Sequence, residues 1–257
     1  MAHVDLNCDM GESHGVWTIG ADAAVLPHVT SINVACGFHG GDPSVMRATV
    51  LAAAAHQVAI GAHPGLPDLL GFGRREMAVS PQEVCDMVVY QLGALQAFAA
   101  AVGVRVCHVK PHGALYNMAA VRRDLADAIA DAVHSVDASL VLVGLSGSAL
   151  IAAGTARGLP VAHEVFADRN YRADGTLVPR TMPDALITDV DIAVARVVRM
   201  VQQGRVLTVD GTDMPVAAQT ICIHGDAPGA PMFAQRIRAA LHAAGITPRA
   251  LSTPPHG

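Results

Sequence analysis

Residues 3–12 read His3-Val4-Asp5-Leu6-Asn7-Cys8-Asp9-Met10-Gly11-Glu12, and this stretch decides the fold. Successive side chains of an extended strand point to opposite faces, so Asp5, Asn7 and Asp9 share one face of an otherwise apolar strand. The strand then runs into Gly11 and Glu12, not into the glycine-rich turn that announces an open, doubly wound sheet. That rival arrangement loses its main signature at the first turn.

Working outward, six more short apolar runs follow the first at 3–8: residues 30–36, 58–63, 105–110, 139–145, 160–166 and 220–226. Helical patterns lie between them. In 81–102, Val84, Val88, Leu92 and Leu95 recur at helical spacing behind Ser80, Pro81 and Glu83, a capping box with proline in the first turn. In 43–56, Asp42 is the expected N-cap before Pro43. In 189–203, Val190, Val194, Val197 and Val201 form a stripe that stops at Gly204. Strand and helix alternating over the whole chain imply a parallel sheet covered on both faces, and hence a closed or nearly closed α/β barrel. We expect one barrel domain over 1–245, a hairpin insertion at about 205–218 around Asp210-Gly211, and a C-terminal tail at 246–257. The segment from Asp168 to Pro183 is too long for a plain connector and suggests a cover over the barrel mouth.

Composition fits a globular enzyme. The 257 residues are 52% hydrophobic and 15% charged, with a formal charge of −5. Lacking a Lys/Arg cluster, the chain has no surface for nucleic acid, whose phosphates demand concentrated positive charge. The amino terminus has no basic segment and meets Asp5 and Asp9 where a signal peptide would be apolar, so export is not expected. Residues 138–156 carry no charge, but Gly144, Ser146, Gly147, Ser148 and Gly154 divide them into a strand and a helix; no membrane span is expected. Five cysteines without a C-x-x-C pair suit reduced thiols in the cytoplasm. Cys8, Cys36, Cys107 and Cys222 fall in strand-like runs, as small buried hydrophobes do.

Parity places further polar trios. His108, Lys110 and His112 share a face of the fourth strand, and Cys222, His224 and Asp226 a face of the seventh. Buried polar groups without partners cost roughly 1–3 kcal/mol each, so three such trios point to a site. The same corners carry Ala35-Cys36-Gly37-Phe38-His39-Gly40-Gly41-Asp42, Gly61-Ala62-His63-Pro64-Gly65 and Lys110-Pro111-His112-Gly113, where glycine admits a ligand close to the backbone. Barrel enzymes keep their catalysis at these strand ends. Lys110 is the single lysine beside sixteen arginines, placed where a compact ammonium meets an oxyanion or phosphate. Glu164, one of four glutamates, shares its strand face with Phe166 and Asp168; a buried pair with arginine is its structural alternative. Glu12 equally suits a loop carboxylate capping backbone amides. Asp5 or Asp9 with His39 and His63 is a candidate divalent-metal site, although no H-x-x-x-H or H-E-x-x-H signature supports it.

These blocks, with Gly71-Phe72-Gly73-Arg74-Arg75, Val109-Lys110-Pro111-His112-Gly113-Ala114-Leu115-Tyr116, Glu164-Val165-Phe166-Ala167-Asp168-Arg169-Asn170-Tyr171 and Ile223-His224-Gly225-Asp226, resemble the LamB/YcsF family over nearly the whole chain. The resemblance implies an irregular seven-stranded TIM-like barrel related to glycoside hydrolase and deacetylase folds. It implies the A component of bacterial ATP-dependent 5-oxoprolinase, which acts with B and C subunits to open 5-oxo-L-proline to L-glutamate with ATP as co-substrate. Catalytic residues would be Asp5, Asn7, Asp9, Lys110, His112 and His224, with Lys110 and His112 holding phosphate or an oxyanion and Asp5, Asp9 or His224 activating water. Substrate-binding residues would be Glu12, Asn33, His39, His63, Arg74, Tyr116, Glu164, Arg169 and Asp226. Two other readings stand beside it: a metal-dependent amide or polysaccharide deacetylase, and a non-catalytic subunit that binds the lactam.

Overall fold

The computed structural model describes residues 2–225 and 229–251. Along the chain run β1 (Ala2–Met10), α1 (Asp22–Val25), β2 (Ser31–Ala35), α2 (Pro43–Ala55), β3 (Ala59–His63), α3 (Pro81–Ala101) and β4 (Val106–Val109). There follow α4 (Gly113–Val121), α5 (Arg123–Val136), β5 (Val141–Leu145), α6 (Ala149–Arg157), β6 (Val161–Phe166) and α7 (Val190–Gln203). The chain continues through β7 (Arg205–Leu207), β8 (Asp213–Pro215), β9 (Thr220–Ile223), α8 (Ala230–Ala243) and β10 (Ile246–Pro248). Strands β1 to β6 and β9 pair in parallel in that order, and β9 pairs again with β1. The sheet therefore closes into the expected seven-stranded α/β barrel.

Local chemistry accounts for the helix ends. Ser80 and Glu83 form the full capping box on α3, with Pro81 in its first turn. The Asp42 carboxylate accepts from the Ser44 and Val45 amides and starts α2. Gly204, at φ 64°, ends α7 in the left-handed conformation that glycine adopts without strain. Here the structure shifts the expected stripe: α7 buries Ala193, Val197 and Met200, while Val194 and Val201 are only half-buried. The uncharged stretch 138–156 splits into β5 and α6 around a bend at Ser146 and Gly147. Helix α3 has the length and composition to cross a membrane, but Val84, Val88, Leu92 and Leu95 are buried in the core.

Two further features differ in kind. The expected hairpin is present as the antiparallel pair β7–β8, with its turn at Val209-Asp210-Gly211. Residues 246–248, expected as the start of a tail, instead form β10 against Ala2, His3 and Val4 of β1. Three residues containing a proline carry no apolar run, so the pairing leaves no periodic trace. The long segment after β6 forms a fixed wall: Tyr171 is buried and its hydroxyl accepts from the Phe166 amide at 2.9 Å, while Arg169 donates to the Val178 carbonyl.

The barrel strands divide their two faces by chemistry. Leu6, Ile32, Val34, Val109, Val165, Ile221 and Ile223 join the apolar core, while the alternate residues Asn7, Asn33, His108, Glu164 and Cys222 meet each other or Lys110 inside the barrel. Gly61 makes room for this filling, because a Cβ there would lie 2.0 Å from His108 Nε2. Replacing Gly61 by Ala should therefore displace His108 and cost about 2 kcal/mol, by the usual range for overpacked cores. Thermal unfolding should show a fall of roughly 4–8 °C for a chain of this size; an unchanged midpoint would contradict the close approach.

Candidate active site

Polar side chains fill the barrel in layers. At the bottom, the Asp5 carboxylate accepts hydroxyl hydrogens from Thr30, Ser31 and Thr220 at 2.7, 2.8 and 2.5 Å. Burial raises its pKa although the three hydroxyls pull the other way. Above it, Asn7 donates to Glu164 Oε1 and Thr220 Oγ1, while its carbonyl accepts from Asn33 at 2.8 Å. Asn33 in turn accepts from His108 Nε2 at 2.8 Å. Burial pulls the His108 pKa down to about 3, and because the Asn33 carbonyl oxygen only accepts, Nε2 is the nitrogen that carries the ring's hydrogen.

Lys110 occupies the next layer. Its ammonium lies 3.0 Å from Asp9 Oδ1, 2.9 Å from Glu164 Oε1, 3.2 Å from Asn7 Oδ1 and 3.1 Å from Cys222 Sγ. Burial works against its charge, yet Asp9 and Glu164 outweigh it and hold the Lys110 pKa well above the ordinary value. Burial likewise opposes ionisation of Asp9, and His63 and Lys110 more than offset it, keeping that carboxyl well below its usual range. The three ammonium hydrogens thus face four acceptors of the protein itself. This is a cation anchored in the floor by the protein's own acceptors.

Around the floor opens a cavity of about 740 Å³ at the C-terminal ends of the strands. Of the expected residues, Asp9, Glu12, His63, Arg74, Lys110, His112, Tyr116, Arg169 and His224 line it. Asn7, Asn33 and Glu164 support it from the buried network below, and Asp5 lies deeper still, so its expected contact with a catalytic water has no support. Asp226 falls outside the described residues. His39 is buried beside His63 and Phe72 and stacked on His112, with ring centres 3.6 Å apart. Burial above all pushes the pKa values of both His39 and His112 well down.

The ends of β1 to β4 also hold a group with metal-binding character. Glu12, His39, His63 and His112 bring ligand atoms within 4.8 Å of one another, so this buried group has the donors to hold a metal ion. Of the expected set, Asp5 or Asp9 with His39 and His63, Asp5 drops out, because it is spent on hydroxyls at the bottom of the barrel.

At the mouth, His224 Nδ1 lies 2.7 and 2.8 Å from the two Asp168 oxygens. A carboxylate fixing one imidazole nitrogen orients the other as a base. Burial opposes ionisation of Asp168, but His224 overrides it and lowers the Asp168 pKa. The sequence places Asp168 on the strand face of Glu164 and Phe166 and at the head of the long segment, but not beside His224, a partnership that joins positions 56 apart. The same segment contributes Arg169, Arg172 and Arg180, which with Arg74 give the mouth four arginines against Glu76 and Asp174. Burial, then Arg180, pulls the Arg169 pKa down to about 10. Such a rim suits an anionic ligand.

Comparison with known proteins gives one consistent picture. The model of the LamB/YcsF family matches residues 4–255. The 5-oxoprolinase A component of Bordetella pertussis is 62% identical over 243 residues, covering 95% of this chain and 96% of that protein. That of Bacillus subtilis is 59% identical over 252 residues, 98% of each chain. The crystal structure of a lactam utilization protein from Thermus thermophilus superposes with a TM-score of 0.91 at 50% identity, covering 97% of this chain and all of the other. A putative cellobiose-phosphate cleavage protein of Enterococcus faecalis shares the fold alone, with a TM-score of 0.56 at 12% identity and 96% of each chain covered.

The anchored lysine has a measurable signature. Replacing Lys110 by Met leaves Asp9 and Glu164 as buried carboxylates without their counter-charge, which should destabilise the chain by about 3–5 kcal/mol. Adding Glu164→Gln to that variant should restore part of the loss in urea unfolding. A K110M chain as stable as the parent would show that the ammonium is not the cation of this network.

Proposed function

The chain belongs to the LamB/YcsF family, and from that premise we propose that it is the A component of an ATP-dependent 5-oxoprolinase. In this reading it opens 5-oxo-L-proline to L-glutamate, together with B and C subunits, while ATP becomes ADP and phosphate. The relatives' names support the substrate class, and the single structural observation that carries it is the His224–Asp168 pair facing the Lys110-centred floor across one cavity. Five free cysteines fit a cytoplasmic enzyme.

The chemistry explains why ATP is used. A five-membered lactam is a resonance-stabilised amide in a ring with little strain, and its nitrogen leaves poorly. Phosphorylating the lactam oxygen, with ADP leaving, gives an imidate to whose carbon water adds. The C–N bond then breaks as the nitrogen takes a proton and the ring opens to an acyl phosphate, whose hydrolysis releases phosphate and leaves the carboxylate of glutamate. We assign His224, oriented by Asp168, to take the proton from that water. The rim arginines hold the substrate's carboxylate and the phosphoryl group. Lys110, fixed between Asp9 and Glu164, supplies a preorganised positive field beneath the carbon where negative charge develops. Tyr116, whose phenol burial and then Glu164 keep protonated, offers a neutral wall beside it.

Reconstitution tests this assignment. The chain, mixed with B and C subunits, 5-oxoproline and ATP, should form glutamate only when every component is present. Replacing His224 by Ala or Asp168 by Asn should lower kcat about 10²–10⁴-fold, the usual worth of a positioned base, with the circular dichroism spectrum retained. Full turnover in H224A would remove the base from this role, and glutamate formation without this chain would remove the function itself.

A further inference from the structure

Two imidazoles of the cavity wall have each committed one nitrogen to the backbone. His63 Nδ1 lies 2.7 Å from the Lys110 carbonyl oxygen, and His112 Nε2 lies 2.8 Å from that of Phe72. A carbonyl oxygen only accepts, so both of these nitrogens carry hydrogen. With both rings neutral, as metal ligation requires, the second nitrogen of each presents a lone pair. Those two atoms, His63 Nε2 and His112 Nδ1, face each other at 2.9 Å. Asp9 Oδ2 adds an acceptor 3.2 Å from His63 Nε2, and Glu12 Oε1 adds one 3.6 Å from His112 Nδ1. The electron-rich atoms of Asp9, His63, His112 and Glu12 thus follow one another in a row, and such neighbours in a buried wall repel unless a positive particle lies among them.

We infer that His63, His112, Asp9 and Glu12 form a binding site for one divalent first-row transition-metal ion. Two imidazole nitrogens and two carboxylate oxygens are a donor set that such ions accept, whereas magnesium and calcium take oxygen ligands. Both rings already show the outer-shell arrangement of metal-bound histidine, with the distal N–H held by a backbone carbonyl. The rings stand at 89° to each other, so their in-plane lone pairs approach a common point from different directions. His39 cannot join His112 on the same ion. The two rings are stacked 3.6 Å apart with planes 3° from parallel, and an ion in the plane of one lies far outside the plane of the other. His39 is instead the plate that fixes His112, in a pocket that Gly65 keeps open, where a Cβ would come within 2.5 Å of His39 Nδ1. All four ligand residues line the cavity, so an ion held by them would be within reach of water or a substrate oxygen, which it would acidify or polarise. The site goes beyond the ring-opening reading, since metal binding here requires neither lactam nor partner proteins.

The test uses the full-length chain, stripped with a chelator and titrated with Co²⁺ and Zn²⁺. The expected result is one ion per chain by elemental analysis, a visible Co²⁺ absorption band displaced by Zn²⁺, and selective broadening of the His63 and His112 ring resonances by bound Co²⁺. Loss of an outer-shell partner weakens metal sites 10–100-fold, so His63→Gln and His112→Gln should each weaken binding by at least about 100-fold. His39→Gln, with the weaker role of a plate, should weaken it less. A folded parent chain that takes up no ion would overturn the inference and leave a proton shared between the two imidazoles. Binding that leaves both ring resonances sharp, or that survives in both variants, would overturn it as well.

Discussion

A single ammonium inside the barrel organises everything above it. Lys110 follows β4, yet it reaches Asn7 and Asp9 on β1, Glu164 on β6 and Cys222 on β9. Four strands from distant parts of the chain are tied at one point. A buried cation of this kind is tolerated only with its counter-charges in place, so the register of these strands and the placement of Asp9 and Glu164 are fixed together. The two acids outnumber the lysine, and the surplus negative charge bears on the neighbouring imidazoles. His63 sits beside Asp9, and His112 beside His63.

This constraint explains why the interior is polar in a chain so rich in alanine, valine and leucine. The outward strand faces, with Leu6, Val109, Val165 and Ile221, serve the apolar layer under the helices. The inward faces are therefore free to carry amides, imidazoles and carboxylates, provided each finds a partner. Asn7, Asn33 and His108 form a chain of hydrogen bonds across three strands, and Gly61 gives up its side chain so that His108 can lie across β3. A rigid floor built in this way can hold charges in place while a substrate reacts above it.

Much of this was legible in the sequence because strand parity is a strict rule. Asp5, Asn7 and Asp9 do share the inward face, as do His108 and Lys110, and the polar groups at strand ends do meet in one barrel. Parity, however, says nothing about depth. Asp5 and Asp9 are four residues apart, about 13 Å along a strand, and that distance separates a structural anchor among hydroxyls from a group at the cavity. Thr30, just before β2, and Ser31 and Thr220 within strands, which make Asp5 structural, have no pattern of their own. Nor does parity choose partners: the pairing of His224 with Asp168, the stacking of His39 on His112 and the closing of Lys110 on Glu164 all depend on loops and registers that only coordinates supply. The role of β10 was hidden because its three residues lack any periodic signal.

Reaction of the lactam in the cavity between the Lys110 floor and the His224–Asp168 pair is the central claim. The most direct measurement is a crystal structure of the chain with 5-oxo-L-proline bound. The expected result is the ring inside the barrel mouth, its carbonyl carbon near His224 Nε2 and its carboxylate against the arginine rim. A lactam bound outside the barrel, or oriented with its carbonyl away from both Lys110 and His224, would contradict the claim.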